Sequence, residues 1–185
     1  GVQGDIPYLV MELLAGEDLG TLLDREKRLP AERIADILVP ALAALAVAHD
    51  HGIVHRDLKP DNLFLCDRRG TGVTPKLVDF GISKVADDDA ARSLTGTSDL
   101  LGTPYYMAPE QVRAARSADA RSDQYSMGVL LYEAMTGRRP FEGDTMFVVM
   151  SAIVAGNYPA PRSVEPTIPE ALERVIVRAM HSSPE

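Results

Sequence analysis

Eight consecutive residues, His55-Arg56-Asp57-Leu58-Lys59-Pro60-Asp61-Asn62, gather acids, cations and an amide between a long apolar helical pattern and the short apolar run Leu63-Phe64-Leu65-Cys66. A helix running into a strand aims such a loop at one point. Anionic side chains beside a cation and an amide suit phosphate and Mg2+ chemistry, because hard cations take oxygen ligands and leave room for phosphate oxygens. The competing reading is a solvated turn built on Pro60, since Pro, Asp and Asn are ordinary turn residues. Two further stretches bear on the choice. Asp79-Phe80-Gly81 follows the β-prone Lys76-Leu77-Val78, 22 residues after Asp57, and Ala108-Pro109-Glu110 ends 31 residues after Asp79.

The elements around these residues are legible in outline. Tyr8-Leu9-Val10-Met11 predicts a strand, and Glu12-Leu13-Leu14-Ala15-Gly16 a flexible joint. Asp18 can cap a short helix through Leu19, Leu22 and Leu23 by accepting from first-turn amides. From Pro30, Ile34, Ile37, Leu38, Ala41, Leu42, Leu45 and Ala48 recur at steps of three and four and predict a long helix. Pro40 opposes that helix at a cost of roughly 3 kcal/mol. The apolar stripe continues in phase beyond it, so a kink is expected, with the stop at Gly52. Ile53-Val54, Leu63 to Cys66 and Lys76 to Val78 suggest a small antiparallel ribbon. Residues 83–102 read as a long loop. A nearly all-apolar helix is expected from Ser122 or Asp123 to Gly137, which places it at the centre. Another is expected from a cap at Asp144 to Gly156, then irregular chain over Pro159–Pro169, then a last helix using Leu172, Val175, Ile176, Ala179 and Met180. The fold class is therefore mainly α with a small β ribbon.

Composition narrows the function. The 185 residues are 45% hydrophobic, enough for a real core, and carry a formal net charge of −8. That charge argues against a nucleic-acid surface, which needs clustered Lys and Arg, and disfavours a membrane surface. No run of 18 apolar residues occurs. The single cysteine, Cys66, forms no internal disulfide and reads as a small core residue, so a cytoplasmic location is expected.

Read together, His55 to Asn62, Asp79-Phe80-Gly81 and Ala108-Pro109-Glu110 resemble, in order and separation, the signatures of eukaryotic-like Ser/Thr protein kinases of bacterial type. The resemblance implies residues 1–14 as the end of a small lobe and its hinge, and 15–185 as a large lobe incomplete at its C-terminal end. It implies ATP with Mg2+ or Mn2+, transfer of the γ-phosphoryl group to Ser/Thr hydroxyls of proteins, and self as a possible further substrate. By this likeness Met11, Glu12, Leu14, Asp18 and Phe64 surround the adenosine. Asp57 orients the substrate hydroxyl, Lys59 neutralises phosphoryl charge, and Asn62 and Asp79 hold the metal. The position of Lys59 is similar to that in Ser/Thr-specific members. Thr103 bonds the catalytic loop, and Arg56 pairs with a phosphate on Thr95 or Thr97. His55, Phe80, Gly81, Glu110 and Asp123 are structural, Asp123 bracing the loop backbone.

The likeness fails by absence. No G-x-G-x-x-G occurs, and none of Lys27, Lys59, Lys76 and Lys84 lies in a strand upstream of the hinge. The arginine that pairs with Glu110 in the family would lie beyond Glu185. A small lobe is expected before Gly1, the piece alone is expected to be inactive, and a membrane anchor could lie outside it. A pseudokinase scaffold of the same fold remains an alternative, although Asp57, Lys59, Asn62 and Asp79 are all present. A metal-dependent hydrolase using His49, His51 and His55 with Asp57 is a third reading, opposed by Gly52-Ile53, which break the helix that would align the histidines.

Overall fold

Apolar stripes at helical spacing set most of the architecture, and the computed structural model describes residues 1–4, 6–8, 10–67, 72–80, 104–114 and 117–182. The expected loop 83–102, with Gly81, Thr95, Thr97 and Thr103, lies outside the described residues. In chain order the elements are β1 (Val2–Gln3), β2 (Ile6–Pro7), β3 (Gly16–Asp18), α1 (Leu19–Glu26) and α2 (Ala31–Asp50). After them come β4 (Leu63–Asp67), β5 (Val73–Leu77), α3 (Pro109–Arg113), α4 (Ala120–Thr136), α5 (Met146–Ala155), α6 (Pro161–Val164) and α7 (Glu170–Ala179). Single 3-10 turns lie at Pro60–Asn62 and Pro104–Tyr106.

β1 and β2 pair as a short hairpin, and β3, β4 and β5 form one antiparallel sheet in that order. Asp18 lies opposite Phe64, and Phe64 opposite Lys76. Two expectations about strands need correction. Val10 and Met11 are not in a strand and are 82% and 66% exposed, because no described strand lies beside them to take their backbone bonds. Ile53-Val54 is likewise irregular, and its place in the ribbon is taken by Gly16–Asp18, a polar triplet without β propensity that docks on β4.

Helix signals are followed more closely. Asp18 caps α1, its carboxylate accepting from Thr21 N–H at 2.8 Å and from the Thr21 hydroxyl at 2.9 Å. α2 runs through Pro40, which is exposed along with Asp36, so water can reach the carbonyl that proline leaves unpaired. α4 begins earlier than expected: Asp119 is its cap and Ser122 bonds back to the Asp119 N–H. The polar first turn had hidden that start. Thr145, one residue beyond Asp144, caps α5 through the Val148 amide, and the proline-rich stretch contains α6, with Pro161 at its first position.

α4 is the central post. Met127, Val129, Leu130, Tyr132 and Ala134 are all buried on it, and it packs against α2 and α7. Gly128 permits the closeness of α7, since a Cβ there would stand 2.8 Å from that of Ala179. Gly137 ends α4 at φ 73°, a left-handed stop that suits glycine.

Candidate active site

The first turn of α4 and the end of α2 together fix the loop. Asp123, 1% exposed, accepts from His55 N–H and Arg56 N–H at 2.8 Å each and bonds His49 Nε2 at 2.8 Å. Three donors supply what a buried carboxylate requires, since ionising it unpaired in the interior is strongly unfavourable. Arg56 takes φ 65° and Asp79 φ 54°. Left-handed backbone at non-glycine residues costs on the order of 1–3 kcal/mol and persists where surrounding bonds over-determine it.

His55 is fully buried, with Nε2 3.0 Å from Val78 O, Nδ1 3.4 Å from Asp57 N, and its ring centroid 4.5 Å from that of Phe80. A carbonyl only accepts and an amide N–H only donates, so Nε2 carries the proton and the ring is neutral. Burial pushes its pKa down. His55 thus bridges the loop to the chain leading into Asp79.

Asn62 makes a second bridge. Its Nδ2 donates to Asp57 O at 2.8 Å and, at 3.3 Å, to Asp57 Oδ2, while its backbone carbonyl accepts from Val78 N–H at 3.0 Å. With Nδ2 so engaged, Oδ1 has no partner among the described residues, and neither does the exposed Asp79 carboxylate. Two oxygen donors of this kind suit a hard cation that completes its shell with water and phosphate oxygens. No group of three or more His, Cys, Asp or Glu able to hold a metal occurs among the described residues. The half-buried Lys59 has no ion-pair partner among them either. Arg56 keeps a buried Nε without a hydrogen-bond partner among the described residues.

The residues expected around the base converge less. Met11 is exposed, Glu12 is exposed and ion-paired with Lys76, and Leu14 is half-buried in irregular chain. Asp18 and Phe64 face each other across the β3–β4 register, with the Asp18 carboxylate occupied by the α1 cap. The three histidines do not share a site: His49 turns to Asp123, His51 Nδ1 to Val47 O, and His55 to Val78.

Residues 104–114 lie on the loop's other side. Ser126 Oγ donates to Tyr106 O at 2.7 Å, and the Tyr106 hydroxyl to Glu133 at 2.6 Å. Burial and Glu133 together push that phenol's pKa well up. Arg139 stacks 4.5 Å from the Tyr105 ring centroid. Glu110 accepts from Ser122 Oγ at 2.6 Å, and Gln111 Nε2 donates to Arg56 O at 2.9 Å. Sequence reasoning missed His49 as a brace and missed Gln111 and Ser126 altogether, because each is an ordinary polar residue with a partner 20 or more residues away; Ser122 enters it only as a possible helix start and not as a donor to Glu110.

The protein kinase domain family matches residues 3–184. The chain belongs to that family. As a protein kinase domain it is 42% identical over 179 residues to the serine/threonine-protein kinase Pkn1 of Myxococcus xanthus, covering 97% of this chain and 25% of that protein. It is 41% identical over 180 residues to serine/threonine-protein kinase pkn3 of the same organism, covering 96% of this chain and 33% of the relative. It is 39% identical over 184 residues to serine/threonine-protein kinase PknL of Mycobacterium tuberculosis, covering all of this chain and 44% of that protein. The kinase domain chain thus spans less than half the length of these curated relatives. Its helical body with a small antiparallel ribbon is kinase-like, and the family in general uses ATP and a divalent metal. No helix among the described residues is long and apolar enough to cross a membrane.

Proposed function

We propose that this chain is the large lobe of a serine/threonine protein kinase, with residues 1–14 as the end of the small lobe and hinge, transferring the γ-phosphoryl group of ATP to hydroxyls of protein substrates. The observation that carries the reading is the bridge made by Asn62, whose side-chain amide donates to the Asp57 carbonyl and carboxylate while its backbone carbonyl accepts from Val78 N–H at the entry to Asp79. Phosphoryl transfer asks a protein mainly for positioning and charge neutralisation. Asp57 orients the attacking hydroxyl and takes its proton. Lys59 faces the charge on the phosphoryl oxygens. Asn62 Oδ1 and the Asp79 carboxylate would hold Mg2+ or Mn2+, which would offset the charge of the nucleotide phosphates. Glu12 and Leu14 offer backbone groups to the base, with Met11, Asp18 and Phe64 around the nucleoside. The family resemblance assigns Thr103 the geometric role of the substrate-groove threonine.

Autophosphorylation at Thr95 or Thr97 is part of the same reading, and the unpartnered Arg56 Nε supports it, because a phosphate offers the acceptors a guanidinium needs. The expected location is the cytoplasm, where ATP is available. With labelled ATP and a Ser/Thr-containing protein substrate, Asp57→Asn in the full-length protein should lose about 10²–10⁴-fold in rate, the usual worth of a general base. A fully active variant refutes the mechanism. Phosphopeptide mapping of active enzyme tests the threonines, and finding neither modified removes that part.

A further inference from the structure

Arg56 is held in left-handed backbone from two sides. Asp123 takes its N–H, and Gln111 Nε2 donates to its carbonyl at 2.9 Å. The other end of the same amide is also engaged, since Gln111 Oε1 accepts from Ala108 N–H at 3.0 Å. Only this orientation of the side chain satisfies both partners, an N–H donor at one end and a carbonyl at the other. Gln111 is the third residue of α3, the position from which Gln or Glu reaches back to the helix-capping amide. The Ala108 bond is therefore a local cap, whereas the Arg56 bond spans 55 residues of sequence and needs a donor that Glu lacks. Between the loop and residues 106–111 the cavity volume is about 10 Å3, room for one water at most, so solvent is a poor substitute for the amide.

We infer that Gln111 is a positioning residue for phosphoryl transfer: through the Arg56 carbonyl it locks the loop backbone that presents Asp57 to the substrate-side segment. The inference rests on the kinase reading for its kinetic consequence, but not for its structural one. Gln111→Glu separates the two bonds, because a carboxylate of the same length still accepts from Ala108 N–H and places a lone pair against Arg56 O.

In the full-length protein this variant should lose at least fivefold in kcat, with the KM for ATP within twofold and the melting temperature lowered by only a few degrees. Amide hydrogen exchange over residues 55–58 should accelerate at least tenfold while α4 and α7 keep their protection. Gln111→Met, which removes both bonds without adding charge, should accelerate the same amides and serves if the Glu variant does not fold. Unchanged exchange at 55–58, or equal acceleration throughout the domain, overturns the inference. If the unmodified protein transfers no phosphate, the kinase reading falls, and the exchange result still decides the role of Gln111.

Discussion

The bonds of His55 give the site a dependence on pH. Its ring is buried and neutral, with the pKa pushed below the usual imidazole value by burial. The folded state thus resists protonation while the unfolded chain accepts a proton near pH 6.5. Stability from this group is complete above that pH and is lost as pH falls below it toward the folded-state pKa. Urea unfolding at pH 7.5 and 5.5 should show lower stability at the acid pH, and the difference should shrink in His55→Asn, which titrates in neither state. Asp123 supports the same loop through hydrogen bonds. Asp123→Ala leaves the buried amides of His55 and Arg56 without their acceptor, at about 1–3 kcal/mol for each unsatisfied group. The expected result is a lower urea midpoint together with loss of phosphoryl transfer, both read on the same preparation.

Elements place these residues through their ends. α4 presents Asp123 to the loop from its first turn, so the start of α4 sets the register of the brace. That start is held by Asp119 and by the Ser122 hydroxyl, which also donates to Glu110. Asp119→Ala should cost about 1 kcal/mol, the usual worth of an N-cap, read as a shift in urea midpoint. β4 and β5 act similarly: the strand pairing fixes Phe64 against Lys76, and the Val78 N–H to Asn62 O bond carries that register to Asn62 and Asp79, the pair proposed to hold the metal.

At the scale of the molecule, one core joins the helices and the ribbon. Leu130, fully buried on α4, belongs to the same cluster as Leu45 of α2, Leu63 of β4 and Ile176 of α7. The loop is braced through Asp123 and His49 on helices whose apolar faces share that cluster. Leu130→Ala should destabilise by about 2–5 kcal/mol through lost burial and the cavity left behind. Chemical denaturation followed by circular dichroism measures it, and a loss under 1 kcal/mol would show that the core collapses around the smaller side chain.

Local signals determined the parts of this protein that local physics controls. Asp18 as a cap, the glycine stops at Gly52, Gly137 and Gly156, and the apolar stripe that outlasts Pro40 depend on residues within a few turns of one another, whereas Asp57, Asn62 and Asp79 are legible through an order and spacing that resemble those of the kinase family. Only the tertiary structure decided which strand completes the sheet, since Gly16–Asp18 has no propensity of its own and gains pairing from β4, nearly fifty residues away. It alone joined His49 to Asp123 and Gln111 to Arg56, 74 and 55 residues apart. Contacts of that kind form when separate helices pack and close the intervening chain, so nothing in the immediate sequence of either partner announces them.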